Sequence, residues 1–239
     1  MASSTSPTLQ VCRDCGGGAP LDAHFCPQCT KILSLGRHGD YFQFLGLPRR
    51  LQLDADDLER RFRELSRQFH PDYFYNATAA ERRASLERSS YLNDAYRALK
   101  NPVTRLEYLL SVEGVPAAGS AETGEREGSS RATPPPALLE EVFALNEELD
   151  EIREARANGA PPAEWKGRLD AARLPIEAKR DAHQAQVDAL SAKWDALVDH
   201  DGSDAAKRDV LHALRDRVLE RNYITNLLAG IERELNTAS

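Results

Sequence analysis

The sequence predicts an all-α protein in two helical parts. These are a helical hairpin in residues 40–113 and a three-helix bundle in 138–239, preceded at 1–36 by a small zinc-binding knuckle module. Three observations lead there. Apolar residues recur three and four positions apart in both long segments, the period of an amphipathic helix. Only 14 Gly and few β-branched runs interrupt a chain of 239 residues. All four Cys fall between positions 12 and 29, in two close pairs. Residues 114–137 (GVPAAGSAETGEREGSSRATPPPA) hold one large aliphatic, Val115, too little to bury a core, so they read as a linker or exposed loop.

A hydrophobic content of 41% supports a core, while 29% charge and a mean hydropathy of −0.55 suit a soluble chain. Residues 40–113 carry 12 basic and 12 acidic side chains, whereas 138–239 carry 14 and 21, which accounts for the whole net charge of −7. Affinity for nucleic acid rests on neutralising phosphates, and this balance repels them. No stretch approaches the roughly 18 apolar residues of a membrane span. MASSTSPTLQ lacks the basic and apolar regions of a secretory signal and has no Arg, so a cytoplasmic protein is expected.

In the first module, Cys12-Arg-Asp-Cys15 and Cys26-Pro-Gln-Cys29 are CxxC pairs ten residues apart. Each such turn offers two thiolates, and four complete the tetrahedral shell of Zn²⁺. Gly16, Gly17 and Gly18 let the backbone bend, and Pro27 stiffens the second turn. Two disulfides or a redox CxxC are the alternatives, but no βαβ pattern surrounds CPQC. So small a segment has little apolar content, and the metal would itself supply its folding energy. His24 lies near, but the four Cys already fill a shell. A zinc module contacting nucleic acid is a further alternative, against which stand only two basic residues, Arg13 and Lys31, in 1–36.

Asp54 is a plausible N-cap for the next helix, with Asp56 and Asp57 in its first turn, where carboxylates are favoured. Leu58, Phe62, Leu65 and Phe69 form its apolar face, and Arg60, Arg63 and Arg67 share another, with Arg61 beside it. Pro71 disfavours helical backbone at His70 and donates no amide hydrogen, so the helix stops. His70 and Asp72 are thereby presented on a loop. A second helix is expected from about Ala79 to Lys100, with Leu92, Tyr96 and Leu99 inward and Asn101-Pro102 ending it. Tyr41, Phe42, Phe44 and Tyr108 seal the hairpin. A catalytic acid/base pair at His70 and Asp72 lacks any accompanying nucleophile or Gly-rich loop. The Arg face alone is equally readable as a solvated helix surface.

In the last part Leu138, Val142, Leu145, Leu149 and Ile152 make one helical stripe. After Pro161-Pro162 a short helical stretch is expected, and a further helix begins at Pro175, burying Val187, Leu190, Trp194 and Leu197. DHDGSD (199–204) is a turn in which Ser203 or Asp204 caps the last helix. That helix carries Leu211, Leu214, Val218, Leu228, Ile231 and Leu235 on one seam. On the first helix Leu139 and Phe143 form a second ridge that continues through Glu147 and Glu151. It serves either as a partner surface or as packing against another helix.

The Arg-lined helix, His70-Pro71-Asp72 and the run NDAY..L..P..R..YLL (Asn93–Leu110) resemble the J domain of the DnaJ superfamily. The double CxxC ahead of it, and PALLEEVFALNEELDEI after the linker, are similar to HscB-type J-domain co-chaperones. That resemblance implies a protein that catalyses no chemistry itself. His70, Pro71 and Asp72, with Arg60, Arg63 and Arg67, would dock on a DnaK/HscA-type chaperone and stimulate its ATPase. Leu139, Phe143, Glu147 and Glu151, with Tyr223 of the last helix, would bind an IscU-type iron–sulfur scaffold. Cys12, Cys15, Cys26 and Cys29 would hold structural zinc. Three positions depart from the pattern: Tyr73 stands where Lys or Arg often follows HPD, and Glu140 and Ala144 stand where apolar and acidic contacts are common. A general J protein with another client is the alternative.

Overall fold

The structure, a computed structural model, describes residues 9–35, 39–115 and 136–236. By its contacts the chain divides into two compact units, 1–112 and 113–239. The first begins with strands β1 (Leu9–Val11) and β2 (Gly18–Pro20), paired antiparallel with Gln10 opposite Ala19. Helices α1 (Tyr41–Phe44), α2 (Ala55–Gln68), α3 (Ala79–Lys100) and α4 (Pro102–Val112) follow, with a 3₁₀ turn at Pro71–Phe74. The second unit holds α5 (Pro136–Ala157), α6 (Pro162–Asp199) and α7 (Asp204–Asn236).

The boundaries of α2 and α3 follow from their caps. Asp54 accepts from the amides of Asp56 and Asp57 at 2.9 and 3.3 Å, satisfying donors that the first turn leaves without partners. Thr78 and Glu81 form a reciprocal capping box at the start of α3. At its end, buried Arg105 reaches back from α4 and donates to the Leu99 carbonyl at 2.7 Å, a cation on the negative end of the helix. Between the hairpin helices Phe62 stacks on Tyr96, centroids 4.2 Å apart. Leu58, Phe69, Leu92 and Leu99 are buried, as their periodicity requires. Two short elements, α1 and α4, go beyond the expected hairpin. Their aromatics seal it: Tyr41 stacks on Tyr108, whose hydroxyl accepts from the Tyr41 amide at 2.8 Å.

The bundle differs from expectation in two respects: of the stripe Val187, Leu190, Trp194 and Leu197 only Trp194 is buried, the other three being half-buried, and the helix start expected at Pro175 is absent. No helix begins at Pro175, because α6 runs unbroken from Pro162 to Asp199 with Pro175 inside it. The reason lies in the faces. Trp165, Leu169 and Ile176 are buried in a single register on either side of the proline, while Pro175 and Ala171 are exposed. The ring therefore lies on the solvent side, and water can reach the Ala171 carbonyl that loses its helical partner. Burial of the stripe outweighs the local cost of about 3 kcal/mol. Those residues join Leu145, Leu149, Ile152, Ile224, Leu227 and Ile231 in one core. Ser203 caps α7, accepting from the Ala206 amide at 3.3 Å. Among the described residues no helix is long and apolar enough to cross a membrane.

Candidate functional site

The amide of Phe69 still bonds back to Leu65, and then the helix ends. His70 takes φ −59°, ψ 126°, the extended conformation that a following proline enforces. Pro71 opens the 3₁₀ turn, where its missing amide hydrogen costs nothing. The Asp72 amide donates to Nδ1 of His70 at 3.3 Å, so the imidazole caps its own turn and presents Nε2 to solvent. The Asp72 carboxylate lies 3.5 Å from the same Nδ1. Side-chain exposures of 53% for His70 and 87% for Asp72 place both groups outside any packed interior. The tripeptide is an exposed tip.

Beside it runs an open groove of about 540 Å³ lined by Phe62, Arg63, Ser66, Arg67, His70, Asp72 and Tyr73. Arg63 and Arg67 are thus brought together with the tip. Arg60 sits a turn away, engaged by Asp57 and, at 3.8 Å, by Glu64. Arg63 pairs with Glu59. These contacts are exposed and hold the guanidinium groups weakly, leaving them available to another acidic surface. Arg61 instead ties α2 to the end of α1, its Nη1 donating to the carbonyls of Leu45 and Gly46 at 3.1 and 2.9 Å. Sequence periodicity did not single out Tyr73, 75% exposed, or Ser66. Tyr73 sits in the turn beyond the helix and has no helical period to betray it, while Ser66, within α2, is polar and does not register in an apolar pattern.

The sulfurs of Cys12, Cys15, Cys26 and Cys29 all lie within 4.8 Å of one another. Cys12 Sγ is 3.6 Å from Cys29 Sγ, and Cys15 Sγ is 3.7 Å from Cys26 Sγ. A disulfide needs about 2.05 Å, and all four are free thiols. Four thiolates tetrahedral about a metal at roughly 2.3 Å would stand about 3.8 Å apart, so the set fits a single metal ion. Two matching turns build it. Gly16 and Thr30, each directly after the second Cys of its pair, both take left-handed backbone, at φ 71° and 59°. Amides of Cys29 and Gln28 pull Cys26 down to about 7. Cys29 is drawn down by the Lys31 amide but pushed up further by burial and its three sulfur neighbours, to about 12. A cation among the four removes that mutual repulsion. His24 is not among the sulfurs' partners: its Nε2 donates to the Phe44 carbonyl at 3.1 Å, and its Nδ1 accepts from Arg88 Nη1 at 2.7 Å.

In the second unit Leu139, Phe143, Glu147 and Glu151 share one ridge of α5. Phe143 is 67% exposed, Leu139 is half-buried, and both glutamates are exposed. The Glu151 carboxylate is already held by Arg168 at 2.6 Å, together with a bidentate Arg168–Glu148 pair at 2.8 and 3.0 Å. Tyr223 is half-buried on α7. Leu174 on α6, 64% exposed, is a second large apolar residue facing water that periodicity did not single out.

Comparison with known proteins adds to this geometry. Residues 40–108 match the model of the DnaJ domain family. The chain aligns with the crystal structure of human co-chaperone protein HscB at 24% identity and a TM-score of 0.59, covering 94% of this chain and 98% of that one. It aligns with chaperone HscB from Vibrio cholerae at 27% identity and a TM-score of 0.51, covering 83% and 98%.

Proposed function

From a chain that carries a DnaJ domain within the fold of the HscB co-chaperones, we infer a two-handed adaptor. Its first unit stimulates the ATPase of a DnaK/HscA-type chaperone, and its second delivers an IscU-type scaffold to that chaperone during iron–sulfur cluster maturation. One observation carries the reading: His70 and Asp72 are exposed at a proline-stopped helix end, with Arg63 and Arg67 lining the same groove. A preset tip costs its partner little ordering entropy on contact. The exposed arginines favour fast, oriented encounter with an acidic surface more than raw affinity. Hydrolysis itself belongs to the chaperone.

Phe143 supports the second hand. An exposed phenylalanine on a helix ridge that continues through Glu147 and Glu151 is the kind of anchor that fills a partner's apolar pocket. Tethering both sites on one chain raises the effective concentration of scaffold at the chaperone. Zinc is the metal we assign to the four cysteines, since a closed all-thiolate tetrahedral shell is its structural signature.

A coupled ATPase assay with a purified DnaK-class chaperone tests the first hand. His70→Gln should abolish stimulation while scaffold binding by calorimetry stays unchanged; stimulation that survives removes the reading. For the second hand, Phe143→Ala should weaken scaffold binding by about 2 kcal/mol, the scale of a truncated hot spot, without lowering intrinsic ATPase stimulation. Unaltered scaffold affinity would point to a J protein with another client.

A further inference from the structure

Phe69 is the last residue before the His70 tip, and it is fully buried. Its surroundings come from two places. From α3, Ser85 Oγ and Ser89 Oγ both donate to its carbonyl, at 2.7 and 3.0 Å. From the cysteine module, the His24 ring meets it edge-on at 5.0 Å and Phe25 lies tilted against it at 6.0 Å. Phe25 immediately precedes the metal-ligand candidate Cys26, and His24 stands two residues before it. One wall of the pocket that fixes the tip is therefore made by the knuckle.

Arg88 fastens that wall. It is fully buried on α3, one turn beyond Ser85, with its guanidinium carbon 5.7 Å from the Phe69 ring centre. Nε donates to the Leu33 carbonyl at 2.7 Å, Nη2 to Ser34 at 3.2 Å and to Ala23 at 3.4 Å, and Nη1 to His24 Nδ1. All four acceptors belong to the cysteine module. A planar fork satisfied on three nitrogens is an oriented clamp that an ammonium cannot copy. His24 completes it from the other side by donating to Phe44, whose own ring lies 6.0 Å from Phe69. The module and the tip thus share a single aromatic residue.

We propose that the cysteine module is a buttress for the His70-Pro71-Asp72 tip. In this arrangement His24 and Arg88 act as positioning residues through Phe69, so that metal occupancy of the four cysteines sets the tip's geometry. The effect on ATPase stimulation rests on the function proposed above; the effect on the tip's order does not. With the metal gone, residues 9–35 lose the source of their fold. His24 and Phe25 then leave Phe69, and the end of α2 loosens while Ser85 and Ser89 still tether it. The C-terminal bundle has its own core and is untouched.

Amide hydrogen exchange of the full chain, zinc-loaded and after chelation, separates a local buttress from general support. Exchange should rise at residues 66–74 on zinc removal and stay unchanged in α4 and in the bundle. Equal protection at 66–74 in both states overturns the proposal, and so does a rise spread evenly over α2, α3 and α4. Variants at His24 give the second arm. In the zinc-loaded chain, His24→Ala should raise by about tenfold the concentration needed for half-maximal stimulation, the worth of a lost bond to a charged group. His24→Gln, which keeps a donor for Phe44 and an acceptor for Arg88, should restore it. If Gln is as impaired as Ala, the clamp is not the cause. If zinc-loaded wild type stimulates no chaperone, the functional reading falls, yet the exchange arm still decides the buttress.

Discussion

Gly16 and Thr30 occupy equivalent positions in the two cysteine knuckles, yet only one of them suits the conformation both adopt. Left-handed backbone is free for glycine and strained for a β-branched residue, by about 1 kcal/mol or more. Thr30→Gly should therefore stabilise the zinc-loaded module by about 1 kcal/mol, read as tighter zinc retention against a competing chelator. Weaker retention would mean that the Thr30 side chain contributes something the backbone argument omits. The same scale explains why Arg88 escapes a reading of the sequence. A lone arginine on an amphipathic helix reads as solvent-facing, and nothing in its neighbours along the chain announces that carbonyls from Leu33 and Ser34 will meet it. Burial lowers its pKa only to about 10, so it stays cationic at neutral pH.

At the scale of elements, α6 shows local preference yielding to the core. Pro175 reads as a helix start, but the stripe of Trp165, Leu169 and Ile176 carries the helix through it. Since the ring sits on the solvent face, Pro175→Ala should add about 2 kcal/mol to the bundle in urea unfolding, slightly less than the full propensity difference because alanine also frees the unfolded chain. A loss of stability instead would show that a kink at this point serves the packing. Elements with intact caps behave as their sequences require. Asp54 and the Thr78–Glu81 box start α2 and α3 where expected, and Thr78→Ala should cost the first unit about 1 kcal/mol in thermal unfolding.

Considered as a whole molecule, the chain holds two units with separate cores, and the first includes the four-cysteine knuckle in residues 9–35. The bundle carries its own electrostatic ties. Hydrogen bonds from Arg168 hold Glu148 below the ordinary carboxylate value of 4.5. A carboxylate depressed on folding stabilises fully above its unfolded pKa, and that stability is lost as pH falls through the folded value. The difference in urea stability between wild type and Glu148→Gln should accordingly be present near neutral pH and fade in acid as the pH drops below the ordinary glutamate value and through the lowered one. A difference that persists in acid would assign the loss to packing. The pair is half-exposed, so the effect is small.

By itself the sequence determined the all-α class, the loop-borne His70-Pro71-Asp72, the four-cysteine set and the ridge through Phe143. Each is written in spacing: a period of 3.6, a proline that forbids helix, two residues between paired thiols. Only the tertiary structure decided that α6 ignores Pro175, that Glu151 is spoken for by Arg168, and that His24 and Arg88 join the knuckle to Phe69. Those contacts link residues tens of positions apart, and their energy comes from burial and from satisfying buried donors. Both depend on which surfaces meet in space, and no short window of sequence records that.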